Sequence, residues 1–281
     1  MLALLGLLTV YSAQADWGKQ LLWLLLGACA YAAASAFDYR RLRAVAPGLY
    51  GGMLLILLAV HLVGHSALGA RRWLSVAGFP LEPSELSKLM LVVVLAAFLS
   101  RSEGVSWRSF GLTLLLVAPP AALILTQPDL GTTIVFVALL FGMLFLARAR
   151  AWQLFSLVFA AGVALPLLPY LLHGYQRKRL EIFLDPNQDP LGAGYNLLQA
   201  RIAVGAGGLF GQGWLHGLQG QLGFVPERAT DFVFAIFAEE FGLLGSLVLL
   251  AVFGLLLIRL LRAAAVAPDR FGELLAGGVF V

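Results

Sequence analysis

The feature that most constrains this chain is a succession of apolar runs, at about residues 20–37, 45–64, 85–100, 110–126, 130–147, 154–172 and 231–258. Each can form a helix that crosses the ~30 Å hydrocarbon core of a bilayer, which takes ~17–25 residues. A soluble fold could not cover so much apolar surface, with 60% of 281 residues hydrophobic and only 12% charged. A bilayer removes the need to cover it. The expected fold class is therefore an all-α polytopic membrane protein. Met1 to Ala15 opens on a further apolar run, read as all or part of a first span because it lacks a basic start and further spans follow. Glu273 to Val281 begins another run of about half the required length, which predicts that the protein continues. Nine spans thus begin in the chain.

Charge sets the orientation. With the N-terminus inside, the short inner loops hold ten arginines, Arg40, Arg41, Arg43, Arg101, Arg108, Arg148, Arg150, Arg259, Arg262 and Arg270. The short outer loops hold only three basic residues, Lys19, Arg71 and Arg72. That asymmetry is the positive-inside bias, so the net charge of +4 carries no nucleic-acid signal. The chain reads as one integral-membrane domain, 1–281, with a single long connection at 173–229 facing outward.

Between Leu191 and Gly223 that connection carries ten glycines in neither a G-x-G-x-x-G nor a P-loop pattern, so they read as tight turns, not a nucleotide cradle. ATP is absent outside, so any substrate there must arrive already activated. Cys29 stands alone, which excludes an intramolecular disulfide and a thiolate metal site. His61, His65, His173 and His216 are scattered without ligand spacing.

The acidic residues gather on the outer side. Glu85 and Lys88 share the first turn of a span after Pro83 and Ser84, suiting either a local ion pair or a fixed cation for an anionic ligand. Arg72 and Trp73 suit an interface anchor. Asp129 reads as a helix cap. Thr230 and Asp231 open the span after the long loop, where capping is the first expectation. Glu227 and Arg228 just before them supply the parts for general-base chemistry on a hydroxyl, or for a plain surface ion pair. Glu239 and Glu240 lie inside that span and mark a functional or packing-critical interior.

The stretch from Arg179 to Gly245, with its DPLGAGYN, GWLHG and VPERATDF wording, resembles the SEDS family of bacterial cell-wall polymerases, the RodA and FtsW proteins. YSA at 11–13, RRWLSVAGFPLEPSELSKL at 71–89 and QPDLGTT at 127–133 match in the same order, and the wording is nearer RodA than FtsW. Glu82, Ala229 and Gly223 depart from the family's usual glutamine, histidine and glutamate. The resemblance implies a fold of about ten transmembrane helices with one large periplasmic loop, in the bacterial cytoplasmic (inner) membrane. It implies a peptidoglycan glycosyltransferase that polymerises lipid II at the outer face.

On that resemblance Asp231 is the essential aspartate, the base for the acceptor hydroxyl in a displacement that inverts the donor's anomeric carbon. Cations from Lys88, Arg72, Arg201 and Arg228 would hold the diphosphate, beside Glu85, Trp73, Glu227 and Thr230. A divalent cation, Mg or Mn, would bridge the diphosphate oxygens, the alternative to the base role being that Asp231 and Glu227 are instead its ligands, and no organic cofactor is expected. Expected partners are lipid II, the growing glycan strand, a class B penicillin-binding protein transpeptidase and other elongation-complex membrane proteins, with no nucleic acid. The rival from another class is a lipid II flippase, which predicts charged or broken-helix features near the midplane.

Overall fold

The computed structural model describes residues 1–67, 70–76, 79–127, 129–164, 166, 177–178, 181–183, 185–190, 192 and 194–281. The helices are α1 (Leu2–Ser12), α2 (Trp17–Ala36), α3 (Arg40–Val63), α4 (Pro83–Leu99), α5 (Trp107–Thr126), α6 (Leu130–Leu146) and α7 (Ala151–Ala164), followed by α8 (Tyr195–Ala206), α9 (Leu218–Gln221), α10 (Val233–Ala265) and α11 (Arg270–Phe280). Each apolar run of the sequence holds a helix. The part of the 154–172 run beyond α7 falls largely outside the described residues, as do parts of the 173–229 loop.

The protein is a multi-pass membrane protein, and its surface shows why. On α10 the side chains of Leu243, Leu244, Leu247, Val248, Leu250 and Phe253 are all about half exposed, and no residue of α2 is buried. Such a surface is untenable in water and ordinary in lipid. Among the described residues α3, α5 and α10 are long and apolar enough to cross a bilayer unaided.

Three short strands, β1 (His65–Ala67), β2 (Ala70–Val76) and β3 (Phe79–Leu81), form an antiparallel sheet in the order β1-β2-β3 between α3 and α4. This small sheet is an addition to the helical fold that the sequence pattern did not suggest. Its segments are only three to seven residues long and carry two prolines and glycines nearby, too short for a clear alternation.

The chain forms two compact units, one of Met1–Phe37 with Lys178–Leu257 and the other of Asp38–Arg177 with Ile258–Val281. In the second, α3 to α6 and α11 pack around fully buried Met53, Leu57, Leu91, Leu95, Ile124, Phe136, Met143, Leu144 and Leu274. Asp129 caps α6 by accepting from Thr132 N at 3.1 Å, as its position predicted, and Gln127 ties α5 to α3 through Leu57 O at 3.0 Å. In the first unit a smaller core of Ala13, Ala200, Ala203, Val225, Ala235 and Ile236 draws α1, α8 and α10 together beneath the turn that carries Asp231.

Candidate active site

The glycine-rich loop is held by a break in α10. Gly242 has φ 64° and ψ −164°, a conformation essentially reserved for glycine. In an unbroken helix the amides of Leu243 and Leu244 would bond to the carbonyls of Glu239 and Glu240. Here they donate instead to Gly208 O at 2.9 Å and Leu209 O at 3.1 Å. The carbonyls they vacate accept from Gln212 N and Gly213 N, both at 3.0 Å. Loop and helix thus exchange partners and leave none of these backbone groups unsatisfied, as a buried break requires. The approach is too close for side chains: a Cβ on Gly242 would lie against Gly211 N, and one on Gly211 against Glu240 O.

The two buried glutamates complete this clamp. Glu239, fully buried, accepts from Gln219 N at 2.8 Å and Gly220 N at 3.1 Å. Glu240 accepts from the Ser12 hydroxyl and from Leu215 N at 3.0 Å. The sequence left packing and function open for this pair, and the geometry gives the Glu239 carboxylate to holding the loop. The YSA motif acquires a physical role as well, because Ser12 reaches Glu240 and the Ala13 carbonyl accepts from Arg228 Nε at 2.6 Å.

Residues 227–232 then form a turn, not the start of the helix. The amides of Thr230 and Phe232 both converge on Glu227 O, at 3.1 and 3.2 Å, and the Thr230 hydroxyl lies 3.3 Å from both Glu227 O and Oε2. Glu227 has φ 50°, the left-handed region that costs a non-glycine residue ~1–2 kcal/mol. Helix α10 begins only at Val233, so the expectation that Thr230 and Asp231 cap it is corrected: the turn closes on Glu227 first. Asp231 is left exposed, and among the described residues nothing pairs with its carboxylate.

Arg228, half-buried, is committed to Ala13, and its Nη1 sits where a Cβ on Gly223 would come within 2.6 Å. This chain's glycine at 223, one of its departures from family wording, is what gives the guanidinium room. Arg201 is exposed on α8 beside core residue Ala200, with no ion-pair partner among the described residues.

The remaining predicted residues belong to the other unit. Lys88 Nζ pairs with Glu85 Oε2 at 2.8 Å in the first turns of α4. Lys88 is the better protected, with 26% of its side chain exposed against 59% for Glu85. Both line a largely apolar cleft of about 430 Å³ that Val92, Leu139 and Gly278 also line. Trp73 is half-buried on β2, its Cα opposite that of His65. The side chain of Arg72 lies outside the described residues. No group of three or more His, Cys, Asp or Glu that could hold a metal occurs among the described residues.

A lipid-facing helical fold with a broken helix, and an exposed carboxylate above a clamped loop, define an integral-membrane protein whose polar machinery lies at the end of a span. The chain belongs to the FtsW, RodA and SpoVE family, whose model, described as cell cycle protein, matches residues 1–281. It is 39% identical over 294 residues to the peptidoglycan glycosyltransferase MrdB of Escherichia coli K12, covering 100% of this chain and 79% of that protein. To the probable peptidoglycan glycosyltransferase FtsW of Aliivibrio salmonicida it is 44% identical over 232 residues, 80% of this chain and 58% of that one. Among solved structures it resembles a chain of a peptidoglycan synthase complex described as coordinating polymerization and crosslinking, with TM-score 0.83, 32% identity and 99% and 80% of the two chains covered. It also resembles the rod shape determining protein RodA of Thermus thermophilus, with TM-score 0.71, 29% identity and 99% and 77% covered.

Proposed function

We propose that the chain is a peptidoglycan glycosyltransferase that polymerises lipid II at the outer face of the cytoplasmic membrane, with Asp231 as its general base. The observation that carries this reading is the contrast in commitment among the acids of the first unit. Glu239 is consumed by loop amides, whereas Asp231 is open to solvent on a turn fixed through Arg228 and Ala13. Joining one lipid-diphosphate-linked sugar to the 4-hydroxyl of another needs one base for the hydroxyl proton and positive charge for the departing diphosphate. Asp231 takes the proton while the anomeric carbon inverts in one displacement. For the diphosphate the first unit supplies Arg201, and the family resemblance assigns Lys88, Arg72, Glu85 and Trp73 of the second unit to substrate contacts. Arg228 is assigned to positioning, because its guanidinium is already bonded to Ala13.

A divalent ion, Mg or Mn, fits the chemistry of the turn. Asp231 and Glu227 offer hard carboxylate oxygens, and such ions commonly take only one or two carboxylates and complete their shell with substrate phosphates and water. It would supply charge neutralisation for the diphosphate. Expected partners are a class B penicillin-binding protein transpeptidase and other elongation-complex membrane proteins, which is supported by the likeness to a complex that couples polymerization with crosslinking.

The flippase alternative would use the break in α10, but its freed carbonyls are bonded to Gln212 and Gly213 and do not face a substrate. Purified protein supplied with lipid II on one side only separates the readings. Glycan chains in the product support polymerisation. Movement of lipid II between leaflets with no glycan formed would overturn it.

A further inference from the structure

At the end of the second unit remote from Lys88, four connections meet: residues 38–43, 100–108, 147–150 and 266–273. On one side the charges are settled. Asp269 Oδ2 accepts from the Tyr39 hydroxyl at 2.7 Å and Arg40 Nε at 3.2 Å, its Oδ1 accepts from Gly272 N at 2.8 Å, and the Tyr39 ring stacks on Phe271. The Tyr39 hydroxyl, the Gly272 amide and Arg40 hold the Asp269 carboxyl below the usual range.

On the other side they are not settled. A cleft of about 380 Å³ is lined by Glu103, Gly104, Arg148, Arg270 and Glu273. Arg270 Nη1 is spent on Glu273 at 2.9 and 3.1 Å, but its Nε is buried with no partner among the described residues. Arg148 and Glu103 are exposed and have no ion-pair partner among the described residues. Arg148 stands just past the end of α6 with φ 60°, a position that glycine usually fills. An arginine kept there against backbone preference points to a use for its side chain.

With Glu273 neutralised, the cleft offers one free guanidinium, one buried N–H donor and one free carboxylate. That set suits a ligand bearing a phosphate oxyanion and a donor cation together. The surroundings supply the source. Trp107 opens α5 and is 55% exposed, and Trp152, in the first turn of α7, is 74% exposed, as aromatic residues at headgroup depth are.

We propose that this cleft is a specific site for a phospholipid headgroup carrying both a phosphodiester and a primary ammonium, as in phosphatidylethanolamine. The phosphodiester oxygens accept from Arg270 Nε and Arg148, and the ammonium donates to Glu103. The site is independent of the polymerase reading and lies at the opposite end of the unit from Lys88.

The test is retention of defined lipids by the purified full-length chain in native mass spectrometry, followed by thermal unfolding in nanodiscs. Phosphatidylethanolamine should be retained about fivefold better than phosphatidylglycerol, which lacks the ammonium, or phosphatidylcholine, whose methylated ammonium cannot donate, as one exposed charge-assisted contact allows. Inorganic phosphate at equal concentration should not displace it, and displacement would mean a free-anion site instead. Arg148→Gly should weaken retention of all three lipids, which share the phosphodiester, while keeping or raising the unfolding temperature, because glycine suits that backbone. Glu103→Gln should lower ethanolamine-lipid retention to the phosphatidylglycerol level. Equal retention of the three lipids by the wild type, undiminished lipid retention in Arg148→Gly, or an unchanged ethanolamine preference in Glu103→Gln would overturn the proposal.

Discussion

Two pairs of acids lie within fourteen residues of each other in the first unit and are used in opposite ways. Glu239 and Glu240 are buried in the helix, where amides of the glycine-rich loop and the Ser12 hydroxyl bond their carboxylates. Glu227 and Asp231 sit on a turn before the helix, exposed, with the Asp231 carboxylate uncommitted among the described residues. Burial inside the protein forces a carboxylate to find partners, and the partners then fix the loop. A carboxylate at the rim has water instead and is free to exchange that water for a substrate hydroxyl. The difference in surroundings separates structure from chemistry where residue type does not.

The sharpest way to break this contrast is through the clamp. Glu239→Ala strips one buried and one part-buried amide of a charged acceptor and should cost about 3–5 kcal/mol. In detergent it should appear as loss of folded, monodisperse protein. Gly242→Ala adds a Cβ against Gly211 N in a conformation alanine rarely adopts, and about 2–3 kcal/mol should be lost in thermal melts. If either variant melts like the wild type, the loop is not held as described.

Arg228→Ala removes a 2.6 Å charge-assisted bond to Ala13 and should cost about 1.5–3 kcal/mol. A positioning residue should lose activity with Arg228→Ala and recover part of it with Arg228→Lys, leaving lipid II affinity near normal. A diphosphate contact would instead weaken affinity in both variants. The smallest effect expected is Glu227→Gly, which relieves the φ 50° backbone and should gain up to about 1 kcal/mol in thermal stability. Its activity then reports whether the Glu227 carboxylate matters apart from the turn's shape.

Much of this was legible in the sequence. Apolar length located α1 to α7, α10 and α11 but not α8 and α9, which lie inside the glycine-rich connection, and Asp129 caps α6 as its place after Pro128 suggested. The break at Gly242 was not read, although a glycine two residues after the Glu239 and Glu240 pair in an otherwise apolar run was the available signal. The start of α10 at Val233 was missed because Thr-Asp is a good capping pair locally, and only the long-range bond from Arg228 to Ala13 and the closure onto Glu227 override it. The left-handed backbone at Glu227 had no sequence signal, since glutamate does not favour it. The roles of Ser12 and Ala13 were invisible for the same reason: their partners lie more than two hundred residues away.

The most direct measurement is glycan synthesis from lipid II by purified Asp231→Asn at matched folded concentration. Asparagine keeps the shape of the turn's exposed end but cannot take the acceptor's proton. The account predicts unchanged stability and lipid II binding with synthesis reduced at least ~10²-fold, the scale of a lost general base. Synthesis within a few fold of wild type would contradict it and return Asp231 to the surface.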